Sequence, residues 1–442
     1  MIDTVYIALI CMVLLYFEMI VFNIDYTAPT FLVTASFTLC LLCTSVIGHF
    51  YPGHYWDITE LHIETGFLIV VYILIFIVVD RFCNRLAKKN ITNTIKKEYM
   101  ALRIQDSILY ISVVLGLIAL LWGIFNFKKY LTSDWISSMA AYKLDVNSGA
   151  IKENLSSKLL NQLAKVLEAL NHVIVFYYLN NKASKVDNPK QNKLCIASVL
   201  LYMVGRMIIS GGRQRLIFVI VAAVTGMLIS KTYAEGKKII KKEKKKYFRL
   251  MLIIITILLP LFYFMGRFVG RHESEVFYAM IAYLSTGIYG LEQVVGHDFS
   301  ATYWGQYSFP GFLNLFKLLG IAPEHADTTA VLDYQVFKHG NTLTMMGRWY
   351  WDFGIVGTSV MAICTAMFFS YIYYKCIKYS NPSHKRNIYI VVYIFLAHIL
   401  YFAGYDDFVQ TLLGFYYFQI VVLIYLIYNL IIKRKIVWKK VT

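Results

Sequence analysis

Apolar runs of roughly 18 to 23 residues, the length a helix needs to cross a bilayer, recur along this chain. They lie near 4–23, 29–49, 63–82, 107–127, 163–180, 194–210, 214–230, 249–267, 353–374, 387–405 and 408–432. In lipid every backbone polar group must be satisfied within the protein, which leaves helices for runs of this length. The pattern predicts an all-α polytopic membrane protein of about eleven spans. A content of 58% hydrophobic residues agrees, being far more than soluble cores require.

Charge sets the orientation. Basic clusters at Arg81 to Arg103, Lys182 to Lys193, Lys231 to Arg249, Lys375 to Arg386 and Lys433 to Lys440 each follow an odd-numbered run. Such clusters stay on the cytoplasmic side, so the N-terminus is expected outside. The formal charge of +17 is thereby read as topology, and nucleic-acid binding is not expected. Only Met1-Ile2-Asp3 precede the first run, without a basic region or small-residue cleavage site, so that run is expected to be retained. Its Glu18 is an unusual intramembrane charge.

Four outside segments follow: 50–62, 128–162, a tight turn at Gly211-Gly212-Arg213-Gln214-Arg215, and a long one at 268–350. The chain accordingly divides into spans 1–267, a large loop 268–350 and spans with a basic tail, 351–442. A loop of that length exceeds what linkage requires, and such loops commonly carry binding or chemistry. Its aromatics, among them Tyr303, Trp304 and Tyr307, suit a partly helical segment lying along the membrane interface, or flat platforms for sugar faces.

All seven cysteines fall in predicted helices or their cytoplasmic ends, so no disulfide framework or thiolate metal site is expected outside. The chain has no GxxxxGK[ST] phosphate loop, no HExxH, no Asp-x-Asp pair and no Gly-rich dinucleotide fingerprint. This argues against ATP-driven transport and metal-dependent nucleotide-sugar transfer, and no cofactor or metal is expected. The two halves lack the internal similarity many secondary transporters show.

Several arginines lie near the predicted outer boundary: Arg206, Arg213, Arg215, Arg267, Arg271 and Arg348. Cations there need anions or water. Guanidinium forks hold phosphate oxygens without a metal, and Gly211-Gly212 lets backbone approach a ligand at the start of the next helix. Gly211, Gly212, Arg213, Arg215, Arg267 and Arg271 therefore read as a pyrophosphate cradle. Against this, Arg206 has the reach to snorkel, and Arg348 and Asp352 are spaced as a helical ion pair.

Gly211-Gly212-Arg213 at a helix end, a long outer loop, then Gly340-Asn341-Thr342-Leu343-Thr344 and Asp352-Phe353-Gly354-Ile355-Val356-Gly357 resemble the Wzy-type O-antigen polymerases. The His339-Gly340-Asn341 spacing departs from the His-Asn pair of the related O-antigen ligases and favours polymerase. The resemblance implies a GT-C-like bundle in the bacterial inner membrane with its active site facing the periplasm. It implies metal-independent transfer of a glycan from undecaprenyl pyrophosphate to a sugar hydroxyl of another lipid-linked repeat unit, with a chain-length regulator of Wzz type as a possible partner beside membrane lipids.

On that reading the arginines stabilise the departing pyrophosphate, and a general base takes the acceptor proton. His339 is the leading base, followed by Glu273 and Glu292; Arg348 and Asp352 complete the catalytic set, and Asn341 joins Tyr303, Trp304 and Tyr307 on the sugars. A flippase for the lipid-linked oligosaccharide and an O-antigen ligase are the alternatives.

Overall fold

The structure is a computed structural model that describes residues 1–53, 57–89, 99–132, 134, 137–138, 141–142, 155–210, 214–235, 276–297, 301, 304–321, 342–432 and 437–439. Among these the chain is almost wholly α-helical, and seven helices are long and apolar enough to cross a membrane: Thr4–Val21, Pro29–Phe50, Ile63–Lys89, Asp106–Tyr130, Pro189–Ile209, Gln214–Thr232 and Met345–Lys378. This is the architecture of a multi-pass membrane protein. The expected run at 249–267 lies outside the described residues.

Three other expected spans differ from those seven. The 163–180 run sits within the helix Leu155–Ala183, whose Lys158, Lys165 and Glu168 make it more polar than a simple span. The 387–405 run forms His384–Tyr401. The 408–432 run is not one helix: Val409–Leu413 and Tyr416–Ile431 are separated by Gly414 and by Phe415, whose φ of 68° no α-helix accommodates.

The chain forms two compact units, each assembled from segments distant in sequence: Met1–Thr94, Phe277–Ser380 and Leu396–Gln419 in one, Ile95–Val276, Asn381–Phe395 and Ile420–Thr442 in the other. In the first unit, α1 (Thr4–Tyr16) is capped by Asp3, whose carboxylate accepts the Val5 N–H at 2.8 Å. Two short strands pair Ile2 with Leu61 and so tie the chain start to the segment entering α3 (Ile63–Lys89). Between them α2 (Pro29–Phe50) begins with Pro at its first position, where no N–H is needed.

The long helix Met345–Ser370 packs on α3 and starts at Thr344, whose hydroxyl accepts the Gly347 N–H at 3.1 Å. Part of the Gly340–Thr344 motif is thus a helix cap, and the last residues of the expected outer loop are already helical. Gly354, at φ 62°, kinks this helix, so Met345–Phe353 forms a short arm of its own before the run continues. The arm's Trp349 is buried against Tyr72 at 6.1 Å, and Tyr72 in turn against Phe37 and Phe76 at 5.4 and 5.0 Å. Lipid offers little hydrophobic drive for helix association, so close ring packing of this kind supplies much of the cohesion.

In the second unit, α4 (Asp106–Phe127) and α6 (Pro189–Ser210, with Leu155–Ala183 as α5) approach through small residues. A Cβ on Gly123 would stand 3.0 Å from Ile209, and one on Gly116 3.2 Å from Leu201. The Ser198 hydroxyl donates to Asn171 at 3.1 Å, a polar tie of the kind that links helices in lipid.

Candidate functional site

The short arm 345–353 is the hub of the first unit's polar site. Its Arg348 reaches Asp406 at 3.1 Å, and both side chains are largely withdrawn from solvent. The expected pairing of Arg348 with Asp352 is not what forms. Asp352 instead accepts the backbone N–H groups of Tyr307, at 3.1 and 3.2 Å to its two oxygens, and of Ser308 at 2.6 Å. The reason is geometric: the chain folds back so that two donors from the 304–308 turn and one acid from the 402–408 turn compete successfully with a neighbour on the same helix.

Asp406 and its neighbour Asp407 are the residues that sequence reasoning missed. They sit on a turn held against α2 and against the helix Val276–Gly296 (α7 is Gln214–Glu235, and this helix is α8). Gly404 N–H donates to Ser36 at 3.0 Å, and a Cβ on Gly404 would stand 3.0 Å from the Phe37 backbone. A Cβ on Gly287 of α8 would meet the Tyr405 carbonyl at 2.3 Å, so only glycine lets the turn seat there. Adjacent acids beside a Gly-Tyr break between two apolar runs were the available signal; an intramembrane or boundary carboxylate is expensive and asks for a reason.

The two acids have different surroundings. Asp407 is fully buried, and its Oδ1 accepts the Val409 N–H at 2.9 Å and the Gln410 N–H at 3.4 Å at the start of the next short helix, while Oδ2 has no hydrogen-bond partner among the described residues. Burial pushes this carboxyl up to about 7, against the pull of Arg348 and with a further push from Asp406. Asp406 is 13% exposed; burial raises it as well, and the Arg348 guanidinium, with N–H donors from the backbone, holds it back. One guanidinium thus serves two carboxyls, an arrangement that favours one ionised and one protonated group near neutral pH.

Aromatics gather on the same arm. Trp304 is 81% exposed and lies 4.8 Å from Phe353, and Tyr307 lies 4.6 Å from Trp351. Arg348, Asp352, Trp304 and Tyr307, all expected at the site, are therefore brought together. Glu292 is in the same unit but otherwise occupied: it accepts the His62 N–H at 3.0 Å and the His62 ring, which pins the chain leading into α3. That engagement makes it a structural acceptor here.

In the second unit, Arg215 donates to Glu168 at 2.9 Å, and Arg206, buried rather than snorkelling, stands 4.0 Å from the same carboxylate. Two guanidiniums thus share one acid. Gly211, Gly212, Arg213, Arg267, Arg271, Glu273, Tyr303, His339 and Asn341 lie outside the described residues.

Among protein families, curated proteins and solved structures, none matches this chain.

Proposed function

We propose that this protein polymerises undecaprenyl-pyrophosphate-linked oligosaccharide repeat units at the outer face of the bacterial inner membrane, as a GT-C-like bundle of about eleven spans. The observation that carries the reading is the Arg348, Asp406 and Asp407 cluster with an exposed tryptophan on the adjoining turn. Glycosyl transfer from a pyrophosphate donor needs a base for the acceptor hydroxyl and cations for the leaving group, with no nucleotide.

Asp406 takes the part of the base. It is the member of the acid pair that reaches the surface, and Arg348 keeps it ionised while burial makes it more basic than an ordinary aspartate. The acceptor O–H proton passes to Asp406 as the oxygen attacks the anomeric carbon, and the bond to undecaprenyl pyrophosphate breaks with its electrons on phosphate oxygen. Trp304 offers a flat face to a pyranose. Arg348, on the same arm, supplies positive charge for the departing pyrophosphate.

The test is deletion of the gene in its host, with surface polysaccharide separated by size after complementation. Wild type restores a ladder, and Asp406→Asn and Arg213→Ala leave glycan capped with one repeat unit. Full ladders from both variants refute the reading. Long chains left on undecaprenyl pyrophosphate point to a ligase, and single units held on the cytoplasmic side point to a flippase.

A further inference from the structure

The first unit contains a second polar centre, at the end that the charge pattern assigns to the cytoplasm, and the reaction above makes no use of it. Two helices wind into π-helical turns there. Phe17–Val21 ends the first span, with Phe22 N–H to Phe17 O at 3.0 Å, and Tyr371–Lys378 ends the run begun at Met345. A π turn carries one extra residue per loop and re-aims its side chains, and such turns concentrate at functional positions. Here the first turns Glu18 inward, fully buried, and the second turns Tyr374 onto Asp80 of α3.

The two buried acids are not equivalent. Asp80 receives one hydroxyl on each oxygen, Ser370 at 2.8 Å and Tyr374 at 2.6 Å, with Arg81 next in sequence as the nearby positive charge. Glu18 receives one hydroxyl, that of Thr30, on Oε1. Its Oε2 makes no hydrogen bond of good geometry among the described residues, and neither does the fully buried hydroxyl of Thr34, which lies one turn further along α2 beside the same carboxyl. A proton on Oε2 would let Glu18 donate to Thr34 and give both buried atoms a well-formed hydrogen bond. It would also remove a buried charge from a low-dielectric interior, where among the described residues no ion pair to Glu18 forms and Arg81 acts on it only from further away.

The surrounding charges fit this division. From α3, Asp80 and Arg81 act on Glu18; α2 contributes no acid or base near it; from the π-helical end Lys378 is already matched by Asp25 at 2.7 Å. Asp25 also accepts the Tyr373 hydroxyl at 3.0 Å, and Tyr373 packs on Tyr374, so part-exposed groups at the surface run up to the buried acids. We propose that Glu18 is a proton-binding site, holding one exchangeable proton between Thr30 and Thr34 while Asp80 stays ionised, and that this proton makes the cytoplasmic half of the unit sensitive to pH.

A hydrophobic carbodiimide tests this on the full-length protein in detergent micelles, because it couples to protonated carboxyls in apolar surroundings, and peptide mass mapping locates the adduct. The expected result is an adduct on Glu18 that declines as pH is raised, with none on Asp80, and its loss in Glu18→Gln. Glu18→Gln should unfold at the wild-type temperature, since the amide reproduces the protonated acid, whereas Glu18→Ala should unfold earlier. The proposal is overturned by the absence of an adduct on Glu18 at acid pH, by labelling of Asp80 in its place, or by Glu18→Gln being as damaging as Glu18→Ala. The polymer ladder does not enter these readouts, so they stand or fall independently of the proposed activity.

Discussion

Replacing Asp407 by Asn removes one buried charge and leaves the rest of the turn intact, because the amide oxygen can still accept the Val409 and Gln410 N–H groups that Oδ1 holds at 2.9 and 3.4 Å. The wild-type carboxyl is raised from 3.8 to about 7, first by burial and then by Asp406, with Arg348 opposing. Holding the carboxyl charged at pH above 7 in the folded state rather than above about 4 in the unfolded chain corresponds to about 4 kcal/mol. A raised acid costs stability where the native state must hold it charged, so the full cost is present above pH 7. As pH falls through 7 the native protein takes up a proton that the unfolded chain does not bind until about pH 4, and stability is regained across that window. Unfolding in detergent should therefore show wild type falling behind Asp407→Asn by up to about 4 kcal/mol as pH rises from about 4 to about 8. Parallel profiles for the two proteins, or a gap that opens toward acid pH, would refute this account of the Asp407 environment.

Removing the cation from the same cluster, in Arg348→Met, strands two buried carboxyls and should cost about 3–5 kcal/mol at neutral pH, with partial recovery in acid, measured by the same unfolding assay. Glu168→Gln takes the shared carboxylate from Arg206 and Arg215; it should cost about 3 kcal/mol and raise the affinity of the protein for inorganic pyrophosphate, read by calorimetry. Gly287→Ala drives a Cβ into the Tyr405 carbonyl and should destabilise by about 1–3 kcal/mol or misplace the 402–408 turn, seen as a lowered melting temperature. Thr344→Ala should cost about 1 kcal/mol through the lost helix cap and leave the pH profile unchanged.

The helical, membrane-spanning class was legible because it depends only on local composition: an apolar run long enough for a bilayer has few other ways to satisfy its backbone. Seven of the expected spans reappear as helices of adequate length and hydropathy. Arg348, Asp352, Trp304 and Tyr307 were also legible as residues of interest, since charges and aromatics near a boundary are costly or favoured there whatever their partners. Their partners were not. Arg348 and Asp352 have helical ion-pair spacing, and yet each bonds to a turn 44 to 58 residues away in sequence. Asp406 and Asp407 gained significance only from being folded against that arginine.

What the sequence determined by itself is therefore the solvent this chain is built for and the approximate places where helices begin. Hydrophobicity and backbone satisfaction act over a single run and need no tertiary information. The tertiary structure alone decided which charges face one another: Arg348 against Asp406 beside Asp407, Glu168 between two arginines, Glu18 against two threonines. Electrostatic energy in a low-dielectric interior depends on separations of a few ångströms between residues far apart in the chain, and only folding sets those distances.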